Sequence, residues 1–146
     1  MTDIQAALGI SQLEKINDFI ERRKTIVRRY NEAFYEIEGI ILHKNEDYSD
    51  TVNHLYVIKL DLPKLKVDRK EIFNALLAEN IGVNVHYVPV YLHPYYQKLG
   101  YKKGLCPKAE ELYDALITIP LFPAMTTDDV EDVIHGVSKI INYFRK

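Results

Sequence analysis

The chain has 146 residues, 47% hydrophobic and 27% charged, with eleven Tyr, five Phe and no Trp, the balance of one folded domain and not of a disordered chain. Nineteen basic against twenty-one acidic residues give a formal net charge of −2, which excludes a global electrostatic footprint for nucleic acid or an anionic membrane. No stretch reaches the ~18 to 20 apolar residues that cross a bilayer, no secretory signal opens the chain, and Cys106 is alone, so a soluble chain in the reducing cytoplasm is expected.

From Thr2 to about Ile37 the apolar residues Ile4, Leu8, Leu13, Ile16, Ile20, Val27, Tyr30, Phe34 and Ile37 fall mostly three to five apart, which predicts helix. Thr2 and Gln5 form a capping-box pattern at its start. A continuous helix of that length would run about 50 Å, against a radius of gyration near ~15 Å for a domain of this size. It is therefore expected either to break near Asn17 or Asp18, where Asp18 and Glu21 offer a second box, or to pack one end outside the chain. A brief strand over Gly39 to Leu42 and a polar surface loop to Val52 follow.

Asn53 to Asp61 is apolar and branched, which predicts a strand largely buried on both faces. Asp68 and Glu71 then open a helix that buries Ile72, Leu76 and Leu77 and that Gly82 ends in the left-handed conformation. Val83 to Val88 reads as the next strand. Spacing alone favours a right-handed parallel crossover, with antiparallel routes still open. Lys108 to Leu116 reads as a short helix, and Ile117 and Ile119 as a strand. Thr126 with Asp129 caps a last helix that buries Val130, Val133, Ile134, Val137, Ile140, Ile141 and Phe144. The whole is an α+β or α/β layer structure, a small sheet covered by helices.

Between Pro89 and Gly104 regular patterning stops. Tyr87, Tyr91, Tyr95, Tyr96 and Tyr101 crowd around this segment, interleaved with His86, His93, Pro89 and Pro94. Such rings can sandwich a sugar or base while hydrogen-bonding its edge, or can pack the underside of the loop. His86 and His93 lack an acidic or cysteine companion at motif spacing, so no metal is expected. As a general acid or base, His86 competes with the reading of a merely hydrogen-bonded histidine, and Asn53-His54 calls for the same caution. Glycine-rich phosphate cradles and G-x-S-x-G are missing, and every lysine has a polar context unlike that of an imine-forming one. The chain reads as part of a site.

The opening Met1-Thr2-Asp3-Ile4-Gln5-Ala6-Ala7-Leu8-Gly9-Ile10-Ser11-Gln12-Leu13, Arg22-Arg23, Tyr30, Asn53-His54-Leu55-Tyr56, His86-Tyr87-Val88-Pro89-Val90-Tyr91 and Ile119-Pro120-Leu121-Phe122-Pro123 together resemble the DegT/DnrJ/StrS sugar aminotransferases. The resemblance runs nearly end to end over the C-terminal part of such enzymes. It implies the small domain of a type I, aspartate aminotransferase-like fold, with a small, mostly antiparallel sheet packed by helices. Residues 1–38 would then be a long helix or kinked helix pair leading to a large domain outside this chain, and 39–146 the small domain. A hydrophobic residue is usual at the family position of Met1, which is therefore not taken as a natural start.

The same resemblance implies pyridoxal phosphate as cofactor of the whole enzyme, glutamate as amino donor and a homodimer. The substrate implied is a UDP-linked 4-keto-6-deoxy-N-acetyl sugar, aminated at C4 on the route to surface or spore-coat polysaccharide. The imine-forming lysine and most of the phosphate site would lie in the large domain, leaving this chain silent alone and free of cofactor. His86, Tyr87 and Tyr91 are implied at the mouth of the active site against the nucleotide-sugar, with Asn53, His54 and Phe122 beside them. A free-standing carbohydrate- or protein-binding module using the tyrosine loop is the competing reading.

Overall fold

The computed structural model describes residues 1–43 and 49–146, so the polar loop expected before Val52 lies partly outside the described residues. Thr2 caps helix α1 (Asp3–Leu13) with the full box: its hydroxyl accepts from the Gln5 N–H, and the Gln5 side chain accepts from the Thr2 N–H. Lys15 N–H then bonds to the Gln12 carbonyl three residues back, tightening the turn, and α2 (Ile16–Phe34) starts with no side-chain cap. The break thus comes before the expected Asn17 or Asp18. Asp18 lies inside the first turn of α2, where its charge meets the positive end of the helix.

Strands β1 (Ile40–Leu42), β2 (Tyr56–Leu60) and β3 (Leu116–Ile119) form an antiparallel sheet in that order. The register sets Ile58 opposite Ile117 and Tyr56 opposite Ile119 on one face, while Val57 with Thr118 and Lys59 with Leu116 share the other. Helices α2, α3 (Arg69–Ala78) and α6 (Thr127–Phe144) cover the first face, burying Tyr30, Phe34, Ile58, Leu60, Ile72, Leu76, Ile117, Val137 and Ile141. Each such side chain contributes roughly 1.5–3 kcal/mol, an upper estimate given a compact unfolded state. From the second face α5 (Pro107–Ala115) leans on β2, where Lys59 Nζ lies 3.3 Å from Glu111.

Polar ties fix the rod of α2 against the segment that follows β3. Tyr30 donates its hydroxyl to the Pro120 carbonyl at 2.9 Å, and Arg22 donates to the carbonyls of Pro123 and Met125 at 3.4 and 3.1 Å. Arg29 grips Glu131 of α6 with both arms of its guanidinium, at 2.6 and 2.9 Å.

Three local expectations are corrected. Helix α3 starts on its Asp68 cap but ends on Asn80, at φ 63, and not on Gly82. Ile81 N–H reaches the Leu76 carbonyl and Asn80 N–H that of Leu77, the paired bonds of a Schellman end, for which Asn tolerates the left-handed backbone. Val83 to Val88 is no strand: only Asn84 pairs, antiparallel, with Thr118, after which the chain leaves the sheet. The parallel crossover is therefore absent, and the antiparallel sheet implied by the resemblance is what forms. Between Pro89 and Gly104 a 3-10 turn (Val90–Leu92) and a short helix α4 (Pro94–Lys98) replace the expected irregular loop. Pro94 opens α4 at a position where its missing N–H costs nothing.

Candidate functional site

His86 stands at the outer edge of β3. Asn84 and Thr118 exchange two backbone hydrogen bonds, at 3.0 and 2.8 Å, and two residues further on His86 Nδ1 lies 2.9 Å from the Thr118 hydroxyl. That contact occupies one ring nitrogen and leaves Nε2 as the free polar atom of a half-buried imidazole. The His86–Tyr87 peptide is cis, the two rings meet edge to face at 4.6 Å, and Tyr87 is 73% exposed. An imidazole nitrogen beside an open phenol ring can bracket a polar ring-shaped ligand.

Tyr91 is held differently. Its hydroxyl donates to Glu110 Oε1 at 2.5 Å and accepts from the Cys106 N–H at 3.3 Å, and Glu110 also accepts from the Gly104 N–H at 2.7 Å. Burial and the Glu110 carboxylate push the Tyr91 phenol up to about 12. The bond from Tyr91 holds the Glu110 carboxyl below its ordinary range. At neutral pH the pair is a neutral phenol on a charged carboxylate, so the Tyr91 hydroxyl is engaged inside the loop.

The remaining candidates make other contacts. Asn53 takes a left-handed φ of 50 and bonds to Thr51 within its own turn, on an open cleft of about 460 Å³ that Asn31, Lys59 and Leu112 also line. His54 and Phe122 are exposed. Among the described residues no hydrogen bond or ring contact joins Asn53, His54 or Phe122 to His86, Tyr87 or Tyr91. Tyr96 meets Tyr95 and Tyr101 edge-on at 5.4 and 6.1 Å, forming an exposed ring cluster beyond the His86 corner. No group of three or more metal-ligating side chains gathers among the described residues.

Such a three-stranded antiparallel sheet, with α2, α3 and α6 on one face and a histidine–tyrosine corner at its edge, defines an α+β domain. The DegT/DnrJ/EryC1/StrS aminotransferase family matches residues 1–138, and the chain belongs to that family. It is similar to the spore coat polysaccharide biosynthesis protein SpsC of Bacillus subtilis, 45% identical over 97% of this chain and 37% of SpsC. It is also similar to the UDP-4-amino-4,6-dideoxy-N-acetyl-beta-L-altrosamine transaminase of Campylobacter jejuni, 33% identical over 100% of this chain and 38% of that protein. The PLP form of Spr1654 from Streptococcus pneumoniae, described as a sugar aminotransferase, superposes with a TM-score of 0.88 at 30% identity, over 98% of this chain and 36% of that one. The chain thus spans little more than a third of the length of these relatives.

Whether these residues alone fit pyridoxal phosphate can be judged from their lysines. An imine-forming lysine needs a desolvated or cationic setting that frees its amine. Among the described residues no lysine is buried, and the half-buried Lys24 and Lys59 each face carboxylates, Glu21 and Asp50 for the first and Glu111 for the second. Those partners favour the charged ammonium, and they hold Lys24 above its ordinary value. The described lysines do not fit the cofactor.

Proposed function

We propose that this chain is the small domain of a pyridoxal-phosphate-dependent nucleotide-sugar aminotransferase, supplying a wall of the substrate pocket while the imine-forming lysine belongs to polypeptide outside it. The observation that carries the reading is the likeness of nearly the whole chain to little more than a third of aminotransferase relatives. In the complete enzyme the cofactor would supply the electron sink for amino transfer. The substrate would be a UDP-linked 4-keto-6-deoxy-N-acetyl sugar aminated at C4, with glutamate as donor, for surface or spore-coat polysaccharide. The names of the Campylobacter and Bacillus relatives support the sugar and the polysaccharide route respectively. The enzyme would work as a cytoplasmic homodimer.

On this reading His86 and Tyr87 face the nucleotide-sugar, His86 through Nε2 and Tyr87 through its ring, while Tyr91 anchors the loop behind them. Asn53, His54 and Phe122 contribute at the margins. The test supplies this chain in trans with the remaining part of SpsC and assays amino-sugar formation. The chain alone is expected to give no turnover and the pair to restore it, with His86→Ala and Tyr87→Ala raising KM more than they lower kcat. Turnover by the chain alone overturns the proposal. Capture of a free oligosaccharide by the chain, with no complementation, would instead establish the binding-module reading.

A further inference from the structure

Glu110 and Thr118 are the two buried polar residues among those described, 7% and 5% exposed. Both touch the Asn84–Cys106 excursion, Thr118 near its start at His86 and Glu110 at Tyr91 and, near its end, at Gly104. We propose that Glu110 and Thr118 are positioning residues, two pins that hold this excursion, and with it the His86–Tyr87 corner, in a single arrangement. The inference deepens the substrate-wall reading above and rests on it for its functional meaning.

The excursion has little core of its own: neither its 3-10 turn nor α4 buries a residue, and Tyr87, Val90, Tyr95 and Leu99 are exposed. Apolar burial therefore does not determine its shape, and directional bonds must. A buried carboxylate is costly unless its oxygens are hydrogen-bonded, and Glu110 answers that cost by reaching two points of the loop at once, the Tyr91 hydroxyl and the Gly104 N–H. Tyr91 in turn accepts from the Cys106 N–H, so one carboxylate closes a ring of contacts across the start of α5. Gly104, at φ +96, takes a backbone that other residues rarely adopt. At the other end a buried hydroxyl interrupts the apolar strand Leu116–Ile119, and the Thr118 side chain is spent on His86 Nδ1. Valine would serve the strand as well; only the hydroxyl can orient the ring.

The test reads local order in the full 146-residue chain, by amide hydrogen exchange and by the ¹⁵N shifts of the His86 ring. Glu110→Ala should raise exchange at the Gly104 and Cys106 amides roughly five- to tenfold, with Ile58 and Ile117 changing by less than about twofold. Tyr91→Phe, which keeps the ring and so guards against a folding failure, should do the same at Cys106. Glu110→Gln, still offering a carbonyl oxygen, should recover part of the protection. Thr118→Val should move the two His86 nitrogen shifts toward a tautomer mixture, and Thr118→Ser should restore them. Exchange unmoved by Tyr91→Phe, exchange rising in step with the core amides, or His86 shifts indifferent to Thr118→Val would each overturn the proposal. None of these readouts involves turnover, so failure of the aminotransferase reading is recognised separately, by its own assay.

Discussion

Helices α1 and α6 open on the same device and meet opposite surroundings. Thr2 with Gln5 and Thr126 with Asp129 both close complete capping boxes. Yet α1 buries nothing, with Ile4 83% and Leu8 62% exposed, while α6 buries Val130, Val133, Ile134, Gly136, Val137, Ile140 and Ile141. A cap determines where a helix begins, and apolar spacing determines which side is oily. Neither determines whether that side finds cover, because cover comes from what the rest of the polypeptide lays against it.

The contrast breaks or sharpens under substitution. Ile141→Ala should cost about 2–5 kcal/mol in urea unfolding, whereas Leu8→Ala should stay within about 0.5 kcal/mol. Equal losses would mean that α1 is covered after all. Gly136→Ala puts a Cβ 2.9 Å from Ile81 Cγ1 and should cost about 1–3 kcal/mol. Gly9→Ala meets nothing within 4 Å and should instead raise helicity without lowering the unfolding midpoint. Thr126→Ala should remove about 1 kcal/mol from global stability. Thr2→Ala should only fray the first turn, seen as faster exchange at Gln5 and Ala6.

Acid should give the smallest separation. The N–H and hydroxyl of Thr126 hold the Asp129 carboxyl below its ordinary value, so its contribution is complete above the unfolded value near ~3.9 and is lost as pH falls through the lower folded one. The neutral Gln5 box has no such dependence. Exchange at Asp129 and Val130 should therefore rise in acid relative to Gln5 and Ala6.

How far the sequence was legible follows from the same distinction. Helix α6, the Thr2 box and the strand around Ile58 were readable because their signals are local and periodic. The end of α3 was misplaced because Asn80 and Gly82 both suit a left-handed turn, and the position of Leu76 in the core selects Asn80. Val83 to Val88 has a strand's composition but stands at a sheet edge with one pairing residue, a fact of neighbours and not of composition. At the site, His86 and Tyr87 are candidates both from the ring-crowded segment and from the family resemblance. Glu110 and Thr118 gave no signal because their partners Tyr91 and His86 lie 19 and 32 positions away.

The bonds from Tyr30 and Arg22 to Pro120, Pro123 and Met125 join segments 90 to 103 positions apart in the chain. They fasten α2 to the stretch beside Phe122, and α1 extends from that fastened helix beyond the turn at Lys15. A partner laid against α1 would be joined to that stretch through one turn and one helix.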